Sequence, residues 1–92
     1  SVGAAARDLA KLLKVEIHAL RSPDRGWAVS KARTIAAYVL VRRLGYRLSD
    51  VAAYFDRDTA TLATLLARLG DRLQGNDTAM REVGRLGKLI EL

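Results

Sequence analysis

The sequence predicts an all-α domain of about five to six helices with a helix-turn-helix near its middle. Three observations carry that prediction. Apolar residues recur at helical spacing through Gly3–Lys14 and Ala28–Leu44. Two shorter amphipathic segments, Leu48–Phe55 and Asp58–Leu73, meet across a tight break at Asp56. The chain has 92 residues, half of them hydrophobic, which suits one domain over 1–92 with a single modest core.

The elements follow in order. In Gly3–Lys14 the stripe is Ala6, Leu9, Ala10 and Leu13, with Leu12 beside it. Val15–Leu20 is a short apolar piece of one or two helical turns. Ser22-Pro23-Asp24-Arg25-Gly26 is the clearest loop, since proline and glycine both punctuate regular structure. Trp27 follows it and is expected to plug the edge of the core. Ala28–Leu44 is the longest helix and the expected central strut. Ala32, Ile35, Ala36, Val39, Leu40 and Leu44 form its wide apolar band, with Lys31, Thr34, Tyr38 and Arg42 opposite. Arg33 and Arg43 fall nearer the band and are expected to snorkel. Gly45 ends the helix by taking the left-handed conformation cheaply.

Ser49 is a candidate N-cap for Leu48–Phe55. Asp56 takes the turn, because aspartate tolerates the left-handed region better than most side chains. Asp58 caps the next helix, where Leu62, Leu65, Leu66, Leu69 and Leu73 share one side. Ala60, Thr64 and Ala67 lie opposite, flanked by Thr61, Ala63 and Arg68. Gln74-Gly75-Asn76 is a break, and Asn76 or Asp77 caps a last helix, Thr78 to about Ile90. Gly84 and Gly87 each disfavour that helix by about 1 kcal/mol relative to alanine. They predict either a frayed end or close packing.

The net charge of +6 is unevenly placed. Between Arg21 and Arg47 stand seven basic residues and one acid, Asp24, whereas the rest of the chain is balanced. A clustered cationic surface attracts polyanions through counterion release. Beside it, the small residues Ala60, Ala63 and Ala67 let the backbone of the Asp58–Leu73 helix approach base edges. Thr61 and Thr64 can hydrogen-bond there or pack on thymine methyls. Thr59 in the first turn reaches a base or a phosphate, and Arg57 at the entry reaches a guanine edge or a phosphate. Asp58 can accept from a cytosine amino group, but capping is the commoner fate of such a residue.

The chain resembles domain IV, the DNA-binding domain of the bacterial replication initiator DnaA. Leu9-Ala10-Lys11-Leu12-Leu13-Lys14-Val15 followed by Ala19-Leu20 is similar to that family's first helix and turn. Val29-Ser30-Lys31-Ala32-Arg33 leading into Ile35-Ala36-Ala37-Tyr38 resembles the entry to its long helix. Arg57-Asp58-Thr59-Ala60-Thr61-Leu62 resembles its Arg-Asp-His-Thr-Thr-Val. A DnaA-like tail on REP-associated tyrosine-type transposases resembles the chain more closely still, through Ala32-Arg33, Tyr38, Val41-Arg42-Arg43-Leu44-Gly45-Tyr46, Val51-Ala52 and Phe55-Asp56. Thr59 stands at the family's histidine, Ala60 at its first threonine, and Asp56 replaces its Gly-Gly. The resemblance implies a Trp-repressor-like helical fold, duplex DNA as partner, and an excised C-terminal domain of a cytoplasmic, nucleoid-associated bacterial protein. It also implies phosphate contacts at Lys31 and Arg33 and places Arg25 at the family's minor-groove arginine. The expected interface comprises Arg25, Lys31, Arg33, Arg47 and Ser49 on the collar, and Arg57, Asp58, Thr59, Ala60, Thr61, Thr64 and Arg68 on the reading helix.

Other classes find little in the sequence. There is no cysteine for a disulfide or thiolate site. The one histidine, His18, lies on a short apolar segment and reads as structural. The acids are scattered, and no phosphate-cradling glycine pattern follows a strand. No apolar run approaches a membrane span, and Ser1–Ala6 lacks the basic start of a signal peptide. The expectation is a monomer without enzymatic activity, metal or small-molecule cofactor. The alternative is a helical protein–protein adaptor or dimerisation module that uses Gly84, Gly87 and Met80 as its contact surface.

Overall fold

A computed structural model describes residues 1–91. Among them the chain forms six α-helices and no strand: α1 (Val2–Leu13), α2 (Ile17–Arg21), α3 (Trp27–Tyr38), α4 (Leu48–Tyr54), α5 (Thr59–Gln74) and α6 (Asp77–Glu91). A π-helical turn, Val39–Arg43, continues α3. The radius of gyration, 11.9 Å, is close to the ~12 Å of a compact chain this long.

α3 and its π turn form the expected strut, packing against every other helix. Ala32, Ala36, Ala37, Val39 and Leu40 are buried along it. Leu9 of α1, Leu20 of α2, Val51 and Phe55 from α4 and its end, and Leu62 and Leu66 of α5 complete the centre. Small alanines on α1 and α3 bring backbones close, and larger leucines fill the space between helices.

Local chemistry sets the boundaries. The Ser1 hydroxyl accepts from the Ala4 N–H at the start of α1. At its end Lys14 takes the left-handed conformation, φ 60°, and the Val15 N–H closes onto the Ala10 carbonyl at 3.0 Å. Such a closure usually uses glycine; a lysine there is strained by about 1 kcal/mol. Asn76 supplies the last cap, its side-chain oxygen accepting from the Ala79 N–H at 3.0 Å.

Three sequence expectations change. The long helix is not regular to Leu44: the Leu44 N–H reaches back to Val39 and the Tyr46 N–H to Leu40, both at 3.0 Å. Gly45, at φ 78°, then folds the chain back over the helix end. Trp27 does not plug the core edge; it is 77% exposed. Ser49 is not a cap. Arg47 holds the extended N-cap conformation without a side-chain bond, and Ser49 lies inside the first turn of α4. The glycines of α6 serve close packing rather than fraying, since the helix runs through both to Glu91 and Gly87 is buried against Arg43.

Candidate nucleic-acid interface

α4 and α5 are joined by Phe55–Asp58. The Asp56 N–H bonds to Ala53 and the Arg57 N–H to Ala52, with Asp56 left-handed at φ 54° between them. These two bonds close α4, and buried Phe55 fixes how the chain leaves it. Asp58 then turns extended, and its carboxylate accepts from the Thr61 N–H at 2.9 Å and the Thr61 hydroxyl at 3.0 Å. The backbone bond, then the hydroxyl bond, holds the Asp58 carboxyl below its ordinary pKa. The cap therefore contributes fully above the unfolded carboxylate range and is lost as acid protonates it. Capping is thus the observed role of Asp58.

α5 is two-sided. Leu62, Leu66, Leu69 and Leu73 are buried against the other helices. Thr59, Ala60, Thr61, Thr64, Ala67 and Arg68 are exposed, with Ala63 half-buried between them. Leu65 is less inward than its spacing suggests, at 38% exposure. The Thr64 hydroxyl donates to the Ala60 carbonyl at 3.2 Å. Both threonine hydroxyl hydrogens are thus engaged, leaving lone pairs and methyl groups outward.

The cations expected to form a collar divide into two sets. Arg33 is only 6% exposed. Its Nε donates to the Leu20 carbonyl at 2.7 Å, and its Nη2 reaches the carbonyls of Asp24 at 3.0 Å, Ser22 at 3.3 Å and Ala19 at 3.4 Å. Burial, then the neighbouring Arg57 charge, lowers its pKa, while Asp24 opposes the shift. Arg33, expected at a phosphate, is instead a buried guanidinium that donates to four carbonyls around the end of α2. Arg57 is committed in a similar way. Its Nη1 donates to the Phe55 and Asp56 carbonyls, both at 3.0 Å, and its Nη2 to Ser22 at 2.7 Å. Arg21 donates from Nε to the Tyr54 carbonyl at 2.9 Å and stacks on the Tyr54 ring at 4.3 Å. Arg21 and Arg57 clasp the α2 end and its loop to the end of α4, and Arg33 ties the same segment to α3. The Arg33 tie has a partial sequence signal, because Arg33, Ala36, Ala37 and Leu40 share a helical stripe.

Arg25, Lys31, Arg47 and Arg68 stay exposed. The Arg57–Ser22 bond ties the start of the loop Ser22–Gly26 to the turn before α5. Within the loop, the Ser22 hydroxyl donates to Ala19 and accepts from the Asp24 N–H. The Asp24 carboxylate accepts from the Gly26 N–H at 2.7 Å. Lys31 lies over the Trp27 ring, its Nζ 5.0 Å from the centroid. Arg43 points elsewhere, along α6, with its Nη2 3.4 Å from the Met80 sulfur. His18 is a surface residue rather than a structural one, 4.0 Å from Glu16.

No helix of the described residues is long and apolar enough to cross a membrane. No protein-family model matches the chain, and no curated protein matches it.

Proposed function

We propose that this domain binds double-stranded DNA in the manner of the DnaA domain IV-like helix-turn-helix it resembles. α4 crosses the backbone and α5 lies in the major groove. The observation that carries the reading is the arrangement of α5. Its leucines turn inward, its threonine and alanine face is open, and the Arg57–Ser22 bond ties the loop that carries Arg25 to the turn before it. Ala60, Thr61, Thr64 and Ala67 meet base edges, with Thr59 and Arg68 at either end. Arg25 and Lys31 neutralise phosphates, and Arg47 and Ser49 do so from the start of α4. Arg33 and Arg57 belong to the scaffold that positions them. The parent protein on this reading is transposase-like or related to an initiator, and the domain reads its target sequence.

The adaptor alternative has less surface than its sequence suggests, because Arg43 of the same chain packs on Gly84, Gly87 and Met80. The deciding experiment is selection from random duplexes, followed by binding of the selected sequence at several salt concentrations. A short enriched motif, with affinity falling by about 0.9 log units per log unit of salt for each phosphate contacted, supports the proposal. No enrichment, or binding indifferent to salt, overturns it.

A further inference from the structure

An open groove of about 520 Å³ lies where Arg43 of the π turn meets the outer flank of α6. Its charged lining is all basic among the described residues: Arg43 from the π turn, and Arg81, Arg85 and Lys88 at successive turns of α6. The rest of the lining is apolar, with half-buried Met80 and Gly84, and Leu89, which is 42% exposed. Arg43 is set in place for an anion. A Cβ on Gly87 would lie 3.0 Å from its Cβ and one on Gly84 3.7 Å from its Nη2, so the side chain runs along α6 over both glycines. Its Nη2 donates to the Met80 sulfur at 3.4 Å, a weak acceptor, and no carboxylate pairs with it among the described residues. Arg85 shows what the same group does with an acid in reach, donating from both Nε and Nη2 to Glu82. A guanidinium whose stem is already packed loses little freedom on gaining such a partner.

From this geometry we infer that the groove docks an acidic segment of another protein. Its carboxylates meet Arg43, Arg81 and Lys88, and one large apolar side chain packs on Met80 and Leu89. The inference goes beyond duplex binding and does not depend on it. Charge complementarity selects the class of partner, and the apolar lining narrows it. Between Met80 and Leu89 the helix rises about 14 Å, the length of roughly four extended residues. That span suits several linked groups better than one small anion. A nucleic-acid backbone would use the cations and leave Met80 and Leu89 without a partner. An anionic bilayer needs a broad apolar face, and Leu89 is the only large apolar side chain exposed on α6 among the described residues. A peptide that alternates carboxylates with an apolar anchor uses both parts of the lining. Methionine, with its flexible thioether, adapts readily to such an anchor.

The test begins with random peptides displayed on phage and selected against the whole domain. One enriched peptide is then synthesised and titrated into the isotope-labelled domain, with amide chemical shifts as the readout. Enriched peptides should carry aspartate or glutamate around a large apolar residue, and the shifts should fall on the π turn and α6. Affinity should drop as salt rises. Arg43→Gln keeps much of the stem but removes the charge, and should weaken the peptide roughly 10- to 100-fold. Arg81→Glu, at an exposed position, should weaken it at least as much and keeps the test decisive if Arg43→Gln unfolds, which circular dichroism shows. Neither change should alter affinity for the selected duplex, so a failure of DNA binding and a failure of this inference are read separately. No enrichment, enriched peptides without acidic bias, shifts on other helices, or affinity unmoved by Arg81→Glu would each overturn the inference. So would an Arg81→Glu variant that loses duplex affinity as steeply as peptide affinity, which would make the groove a phosphate contact. Binding to phosphatidylglycerol vesicles that Arg81→Glu abolishes, with no acidic peptide enriched, would assign it to a lipid surface instead.

Discussion

Lys31 and Arg33 stand two residues apart on α3 and carry the same charge. Their fates are opposite. Lys31 is exposed beside Trp27, whereas Arg33 is buried with four carbonyls around its guanidinium. Two helical residues differ by about 200° of rotation, so the pair cannot share a face. One side of α3 meets solvent and the other meets the end of α2, whose terminal carbonyls lack helical partners. A planar fork with several donors suits that need better than a point charge. Charge placed both residues in one class; register and the supply of open carbonyls separated them.

The comparison breaks most visibly at Arg33. Arg33→Ala leaves the Leu20 and Asp24 carbonyls without their donor and should destabilise folding by about 3 kcal/mol, with a lower denaturant midpoint and an unchanged slope. Arg33→Lys should recover only part, because an ammonium cannot span the same carbonyls. DNA affinity per folded molecule should change little. A stable Arg33→Ala variant with weakened DNA binding would return this side chain to the interface.

The next effect belongs to α5. Thr64→Val keeps the shape but removes the hydroxyl, and Thr61→Val also removes one of the two bonds to Asp58. Each should alter base preference by about 1–3 kcal/mol at one position of the selected site. Losses spread evenly over all sequences would mean that this face grips backbone instead of reading bases.

Lys31 provides the counterpart to Arg33. Lys31→Ala should leave the denaturation midpoint within about 0.5 kcal/mol of the parent. It should weaken binding to every duplex alike and lower the salt slope by about 0.9. Arg25→Ala should behave in the same way. A measurable loss of stability from either change would erase the distinction between the two sets of cations.

Much of this was legible before any coordinates. The inward leucines of α5, the caps at Asp58 and Asn76, the left-handed Asp56 and the small outer face all follow from residue type and helical spacing. The clasp was not, because hydrogen bonds such as Arg57 to Ser22 join positions 35 residues apart. Arg33 carried a hint in its register, which predicts burial but not which carbonyls receive it. Trp27 misled for a different reason. Large aromatics are buried on average, and only the loop geometry around Gly26 decides on which side of the helix start the ring emerges. The π turn has no distinguishing residue of its own; Gly45 marks the helix end but not the change in pitch that precedes it.

Arg43 is a third kind of cation: its stem packs while its head remains at the surface, and the glycines of α6 test that distinction with the smallest effects. A Cβ on Gly84 would lie 3.7 Å from Arg43 Nη2, an ordinary contact with the end of a flexible side chain. Gly84→Ala should therefore gain helix propensity and stabilise by about 0.5–1 kcal/mol. A Cβ on Gly87 would lie 3.0 Å from Arg43 Cβ, an atom fixed to the backbone of the π turn. Gly87→Ala gains the same propensity but must push that turn away, so a net loss of up to about 1 kcal/mol is expected. Opposite signs in the denaturation midpoints would mean that the stem of Arg43 is part of the packing, as Arg33 is and Lys31 is not. If both alanines stabilise, the contact between α6 and the π turn is slack. Gly87 is then free to face another molecule, and the adaptor reading regains its surface.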